Sequence, residues 1–301
     1  MSLRRVLLNR YLRLVEKRRW ARVEDPEDIR RAFERQARWF FHGPRSTRRE
    51  RRRLTQDGRQ IPALWARAPG AAEGPVLLYF HGGGYIFGSP RSHAAMLARL
   101  SALTGLPACL PDYRLAPEHR FPAAFDDCLG AYAVLAHHPG GVILGGDSAG
   151  GGLALAVLAA ILRQGLPAPR GVFAFSPLTD MRFSGESFRT NAEADALLPA
   201  ARAGEMAGMY LAGADPDDPR ASPLRADFTG APPVWLTVGD TEILLDDTRR
   251  MEAHLRAQGV DVTCVIEHDL PHVWPLFHDL LPEARETLGK LAAWVTSLSR
   301  S

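Results

Sequence analysis

Cysteine is scarce in these 301 residues. Cys109, Cys128 and Cys264 form an odd, scattered set without paired ligand spacing, which argues against a disulfide framework or a structural zinc site. Long apolar runs are missing from the early chain as well. The longest there is Val6-Leu7-Leu8, too short for a signal-peptide core or a membrane span, so a cytoplasmic protein without a stable membrane anchor is expected. No aromatic platform or recognised motif accompanies the early arginines, which disfavours a nucleic-acid partner. There is no internal repeat, and no low-complexity segment beyond a bias toward arginine and alanine.

What is present is globular. With 46% hydrophobic and 24% charged residues, the chain can bury a substantial core, and one α/β domain with a smaller attached element fits its length. The net charge of +3 conceals an asymmetry: residues 1–60 hold 19 basic against 8 acidic residues, a surplus of 11, which leaves −8 for residues 61–301. Leu3, Leu7, Tyr11, Leu14 and Val15 recur at threes and fours between arginines, so about residues 2–20 read as an amphipathic helix that packs on the body of the protein. A membrane-surface role for it and the helix that follows is the other reading, disfavoured because aromatics are scarce on the first and acids interrupt the second. A second helix begins at the N-cap Asp25, followed by Pro26, with Ile29, Phe33, Ala37 and Phe40 on its apolar face. The basic cluster from Arg45 to Arg53 reads as a solvated edge strand, and the turn signal Gln56-Asp57-Gly58 joins two strands between residues 50 and 68.

From Val76-Leu77-Leu78-Tyr79-Phe80 onward, apolar strands alternate with helices near residues 91–102, 123–135, 244–257 and 282–298. Further strands are expected near 107–110, 142–144, 171–175, 234–238 and 260–266. Such alternation means a doubly wound, mostly parallel sheet. The rhythm breaks over about residues 179–228, an insertion without a convincing strand and long enough to be functional.

The stretch from Val142 to Leu162 organises this fold: an apolar strand, then Gly146-Asp147-Ser148-Ala149-Gly150, then a helix rich in Ala and Leu. A serine at such a turn is held in strained geometry, so the residues two before and two after it must lack side chains. Gly146 and Gly150 meet that demand, and the helix N-terminus behind them stabilises developing negative charge. A serine hydroxyl needs a histidine to take its proton and a carboxylate to orient that histidine, in the chain order Ser, acid, His.

Of the four histidines after Ser148, His254 falls inside a helix and His278 in a helical or turn segment. His268 sits too close to a strand end, whereas the proline-containing loop around His272 can turn its ring over the sheet. The four-residue spacing of His268 and His272 does not make a metal pair, because no third ligand is evident and Pro271 breaks the helix required. The carboxylate lies beyond Val238, where Asp240 and Glu242 both qualify, while Asp246 and Asp247 read as a solvated helix face. Backbone donors to an oxyanion would come from Ala149 and from the loop His81-Gly82-Gly83-Gly84. No Gly-Lys-Ser or Gly-Lys-Thr follows that loop, so a phosphate site is disfavoured.

These features together resemble the hormone-sensitive-lipase-type esterases of bacteria, family IV of the α/β-hydrolase fold. The marks are His81-Gly82-Gly83-Gly84-Tyr85, Asp112-Tyr113-Arg114-Leu115-Ala116-Pro117-Glu118 with Phe121-Pro122-Ala123, the Gly146 to Gly150 elbow of the GDSAG subgroup, and Pro271-His272-Val273. The resemblance implies a short- to medium-chain carboxylesterase acting on a small-molecule ester through an acyl-enzyme, with no cofactor. It implies Glu242 as the acid, since Glu242-Ile243-Leu244-Leu245-Asp246 occupies the frame in which the family carries an Asp-Pro-Leu-x-Asp-like segment. It implies Gly83, Gly84 and Ala149 as oxyanion donors.

The same resemblance implies a helical cap, built from residues 1–45 and part of the 179–228 insertion, over a core of residues 46–178 and 229–301. A homodimer through the edge strand near Val260 to Glu267 is implied too. The segment from Asp112 to Glu118 reads as structural support. Hydrolysis of amides or of small-molecule acetyl groups would use the same residues, and a ligand-binding receptor on this fold is the reading from another class.

Overall fold

The computed structural model describes residues 2–56, 58–71 and 74–298. Eight strands form one sheet: β1 (Arg48–Gln56), β2 (Arg59–Arg67), β3 (Val76–Phe80), β4 (Ala108–Pro111), β5 (Val142–Asp147), β6 (Gly171–Phe175), β7 (Val234–Gly239) and β8 (Val262–Glu267). Their order is β1-β2-β4-β3-β5-β6-β7-β8. The β1–β2 and β2–β4 pairings are antiparallel and all later ones parallel. The antiparallel β1–β2 pair matches the expected two-strand unit, although Asp57 of its turn lies outside the described residues.

Strands β3, β5, β6 and β7 are buried throughout, as strands covered on both faces must be. Their side chains still divide by the pleat. Val76, Leu78 and Phe80 join the core under helices α5 (Ala123–Leu135), α6 (Ala149–Gln164) and α9 (Leu245–Ala257). Leu77 and Tyr79 join the opposite core under α4 (Pro90–Thr104) and α10 (Pro282–Leu298). Ser89 caps α4 by accepting from the amides of Arg91 and Ser92, and Gly105 ends that helix at φ 72°.

The remaining helices precede or interrupt the sheet: α1 (Leu3–Tyr11), continued through a wide turn at Leu12–Glu16 into α2 (Lys17–Trp20), then α3 (Pro26–Phe40), and within the insertion α7 (Ser187–Thr190) and α8 (Ala203–Leu211). Asp25 caps α3 as expected, accepting from Glu27 N, with Pro26 at its start.

Two expectations fail here. The stripe Leu3, Leu7, Tyr11, Leu14 and Val15 does not pack on the body; all five are exposed. The buried face of this helical segment is instead Arg5, Asn9, Leu12 and Glu16. Carbonyl oxygens of the loop after β8 explain the inversion: Arg5 Nη1 donates to His268 O at 2.7 Å and Asn9 Nδ2 to Asp269 O at 2.8 Å. Hydrogen bonds to these loop carbonyls outweigh apolar burial there.

Asp247 likewise is not on a solvated face. It is buried, and its Oδ2 accepts from the amides of Thr179 and Asp180 at 2.7 and 3.0 Å, fixing the chain where the insertion begins. Burial pushes its carboxyl up to about 7. Asp246 is half-buried and accepts from Ser187 N at 2.7 Å. No described helix is long and apolar enough to cross a membrane.

Candidate active site

Ser148 stands at the junction of β5 and α6 with φ 53° and ψ −122°, a strained conformation for a non-glycine residue. The strain persists because its surroundings over-determine it. Ser148 N donates to Phe175 O at 2.8 Å, and Ser148 O accepts from Gly152 N and Leu178 N, each at 3.0 Å. Strand and helix approach so closely that a Cβ on Gly146 would strike the carbonyl of Gly150, and one on Gly150 would strike the carbonyl of Phe80. The glycine demand inferred from the sequence is therefore met by backbone-to-backbone contact.

Glu242 follows β7, and His272 lies on the loop after β8. His272 Nδ1 is 2.6 Å from Glu242 Oε2, and both side chains are buried. Glu242 Oε1 accepts from Gly239 N at 2.6 Å and from Ser176 Oγ at 2.8 Å. Burial pushes the Glu242 carboxyl up despite these donors and the nearby imidazole. Burial also lowers His272, but the charge and hydrogen bond of Glu242 outweigh it and raise the imidazole above 6.5. The two upward shifts pull the pair in opposite directions. Two donors on Oε1 and a short contact on Oε2 suit a carboxylate, so the raised His272 is the shift that the geometry supports.

Asp240, the other candidate acid, is engaged elsewhere. Its oxygens lie 2.7 Å from His268 Nδ1 and 2.7 Å from Asp269 N. Binding Nδ1 to Glu242 leaves the second ring nitrogen of His272 for the cavity, which Ser148 also lines. Among the described residues, the Ser148 hydroxyl has no hydrogen-bond partner.

The loop His81-Gly82-Gly83-Gly84 follows β3 and borders the same cavity through its three glycines. Gly83 and Gly84 have φ of 123° and 59°, and a Cβ on Gly83 would collide with the carbonyl of Phe87. Among the described residues, the amides of Gly83, Gly84 and Ala149 donate to nothing within the protein, as free anion donors must.

A buried scaffold holds this loop. Asp147 Oδ1 accepts from Gly82 N at 2.9 Å and Tyr79 OH at 2.7 Å. His93 Nε2 lies 3.3 Å away, outside hydrogen-bond geometry. Tyr113 OH donates to His81 O at 2.6 Å, and its ring stacks on His81 at 4.3 Å. Burial, with His93 nearby, pushes His81 down to about 3 and so keeps it neutral. The support expected from the segment at Asp112 to Glu118 takes this form, reinforced by Arg114, which grips Asp127 through Nε and Nη2, each at 2.8 Å.

Asp147→Asn is expected to lower stability by about 1–3 kcal/mol, because an uncharged amide satisfies Gly82 N and Tyr79 OH less well in a dry site. A melting curve superimposed on that of the parent would mean that the carboxylate does not hold the loop.

Sequence reasoning missed Ser176. Its φ is 45°, its hydroxyl donates to Glu242, and Val273 N donates to that hydroxyl at 3.3 Å, so it braces both the acid and the histidine loop. Its position at the carboxyl end of β6, beside the elbow, was the available signal. Also missed were Asn191, whose Nδ2 donates to Glu242 O at 2.9 Å, and Asp195, whose Oδ2 accepts from Ile243 N at 2.9 Å. Both reach the acid loop from the insertion.

The cavity has a volume of about 210 Å³. Its wall is mostly apolar, with Trp20 and Phe33 from the N-terminal helices and Phe183, Phe188, Met206 and Met209 from the insertion. A family whose description is the alpha/beta hydrolase fold matches residues 77–276. An esterase of the bacterial hormone-sensitive lipase family superimposes with a TM-score of 0.92 at 37% identity, over 99% of each chain. The chain belongs to the α/β-hydrolase family, in its hormone-sensitive-lipase-type branch.

Other relatives of this α/β-hydrolase are an acetyl-hydrolase of Streptomyces hygroscopicus, 40% identical over 77% of this chain and 79% of that protein, and an esterase of Acinetobacter venetianus, 32% identical over 91% and 89%. Among the described residues of the hydrolase, no cluster of His, Cys, Asp and Glu could hold a metal ion.

Proposed function

We propose that the protein is a serine carboxylic ester hydrolase in which Ser148, His272 and Glu242 act together on short- to medium-chain acyl esters. The observation that carries this reading is the buried 2.6 Å contact of His272 Nδ1 with Glu242, made beside the cavity that holds the strained Ser148. With Nδ1 donating to the carboxylate, the unprotonated Nε2 accepts the proton of Ser148 as its Oγ attacks the ester carbonyl. The resulting oxyanion is stabilised by the amides of Gly83, Gly84 and Ala149, and by the N-terminus of α6. Protonated His272 then delivers its proton to the leaving alcohol. Water, deprotonated by the same ring, releases the acid from Ser148 in the mirror sequence of steps.

The apolar wall supports an acyl chain as the buried part of the substrate. Residues 1–45 and part of 179–228 serve as a cap over it, since both segments line the cavity. Esterase and acetyl-hydrolase relatives support ester cleavage. The acetyl-hydrolase relative also favours a second reading, release of acetyl groups from small molecules, which uses the same machinery. The free edge of β8, where Ile266 is exposed, supports pairing of two copies there. No cofactor takes part, and the cytoplasm is the compartment we assign.

Turnover of p-nitrophenyl esters of increasing acyl length, beside matched anilides, tests the substrate class. Esters of short to medium length are expected to dominate, and faster anilide cleavage would overturn the reading. The acid limb of kcat/KM against pH is expected above 6.5, because Nε2 must be neutral and the Glu242 carboxylate favours the charged ring. In Glu242→Gln the raising charge is gone and burial remains, so the midpoint should move to lower pH.

A further inference from the structure

Eleven large hydrophobic side chains are exposed among the described residues, and eight of them belong to the N-terminal helices. Six lie in the first helical segment: Leu3, Val6, Leu7, Tyr11, Leu14 and Val15, with Leu3 at 73% and Leu7 at 59%. Trp39, 74% exposed, and Phe40 end α3. So strong a concentration in the N-terminal helices marks an interaction surface.

The exposure is not a consequence of a loosely held helix. The opposite face is pinned to the body by Arg5 and Asn9 on the loop after β8, and by Lys17, whose Nζ donates to Ala192 O and Asp195 O at 2.6 and 2.8 Å. The exposed face is also continuous with the mouth of the cavity, because Tyr11, Phe40 and Leu280 are both exposed and part of its wall.

Charge identifies the occupant. Arg4, Arg10, Arg13 and Arg18 are exposed along the same segment, and among the described residues none of them pairs with a carboxylate. A second copy of the chain is disfavoured there, since a two-fold contact would set these arginines against themselves. A surface that is apolar and negatively charged at once is that of an anionic lipid assembly. We propose that the N-terminal helices dock this protein on an anionic lipid–water interface, with the mouth of the cavity turned toward the lipid. Docking is reversible, as one amphipathic face dictates where no described helix is long and apolar enough to cross a membrane. It bears on the ester reading by supplying that cavity with esters dissolved in lipid rather than in water, and it rests on that reading only for this consequence.

The test is sedimentation of the full chain with sucrose-loaded vesicles of phosphatidylcholine containing phosphatidylglycerol, against vesicles of phosphatidylcholine alone. The parent should pellet with the anionic vesicles and detach as salt is raised. Each exposed leucine withdrawn from water strengthens partition by roughly tenfold, so Leu7→Glu with Leu14→Glu should weaken it by about a hundredfold or more. Neither residue lines the cavity, and turnover of dissolved p-nitrophenyl acetate should stay within about twofold of the parent.

Should the double glutamate variant fold poorly, Leu7→Ser with Leu14→Ser gives the same reading by a smaller step. Arg10→Gln with Arg18→Gln should weaken binding and flatten its salt dependence. A parent that ignores anionic vesicles, or leucine variants that bind as the parent does, would overturn the proposal. So would a parent dimer that the leucine changes dissociate. Binding is read without turnover, so an active Ser148→Ala would sink the ester mechanism while leaving the docking result intact.

Discussion

Ser148→Ala is expected to reduce kcat by roughly a millionfold, the scale seen when the nucleophile of a cooperating serine site is removed. What survives is the contribution of the free amides and the acyl-binding wall over uncatalysed hydrolysis. The fold should be unaffected. The hydroxyl is only half-buried and has no partner among the described residues, and alanine at φ 53° is strained to the same degree as serine. Stability should therefore stay within about 0.5 kcal/mol of the parent.

Two measurements together decide the outcome. Single-turnover kinetics give the loss, and mass spectrometry after treatment with an organophosphonate locates the adduct, on Ser148 in the parent and nowhere in the variant. No adduct in the parent, or a residual kcat within tenfold, would remove the nucleophile assignment and favour a ligand-binding role for the fold.

Glu242→Gln should lower kcat by about 10³–10⁴-fold. The amide is nearly isosteric and can still accept from Gly239 N and Ser176 Oγ on one side. Facing His272, however, its NH₂ requires Nδ1 as an acceptor. The proton then sits on Nε2, which cannot take one from Ser148. Asp240→Asn loses only a contact with His268, whose side chain is 68% exposed, and should change kcat less than about threefold. Steady-state kinetics on both variants, with circular dichroism to verify folding, discriminate the two acids. If Asp240→Asn is the crippled variant, the acid lies on the wrong residue in this account.

Much of the fold is legible along the chain because its signals are local. The run from Val76 to Phe80 and the run from Val142 onward read as buried strands, and the spans of α5 and α10 follow from periodicity and breakers alone. The elbow is legible for the same reason, since two glycines around Ser148 report a steric demand within five residues. The acid was not. Asp240 and Glu242 stand two apart with the same charge, and only the path of the loop between β7 and α9 aims one at His272 and the other at His268. Ser176, Asn191 and Asp195 were invisible because their role consists of contacts between segments 48 to 97 residues apart.

The N-terminal helix marks the same boundary from the other side. Its period of threes and fours determined that a helix forms and which residues share a face, because both depend on 3.6 residues per turn. Which face turns inward was decided by partners remote in sequence. The carbonyls of His268 and Asp269 draw Arg5 and Asn9 down onto the body, and the apolar stripe is left outside. By itself the sequence determined the strands, the elbow and the set of reactive residue types. The tertiary structure decided which carboxylate meets the histidine and which side of the first helix meets the solvent, since hydrogen-bond partners 30 residues away in the first case and more than 250 in the second leave no trace in local pattern.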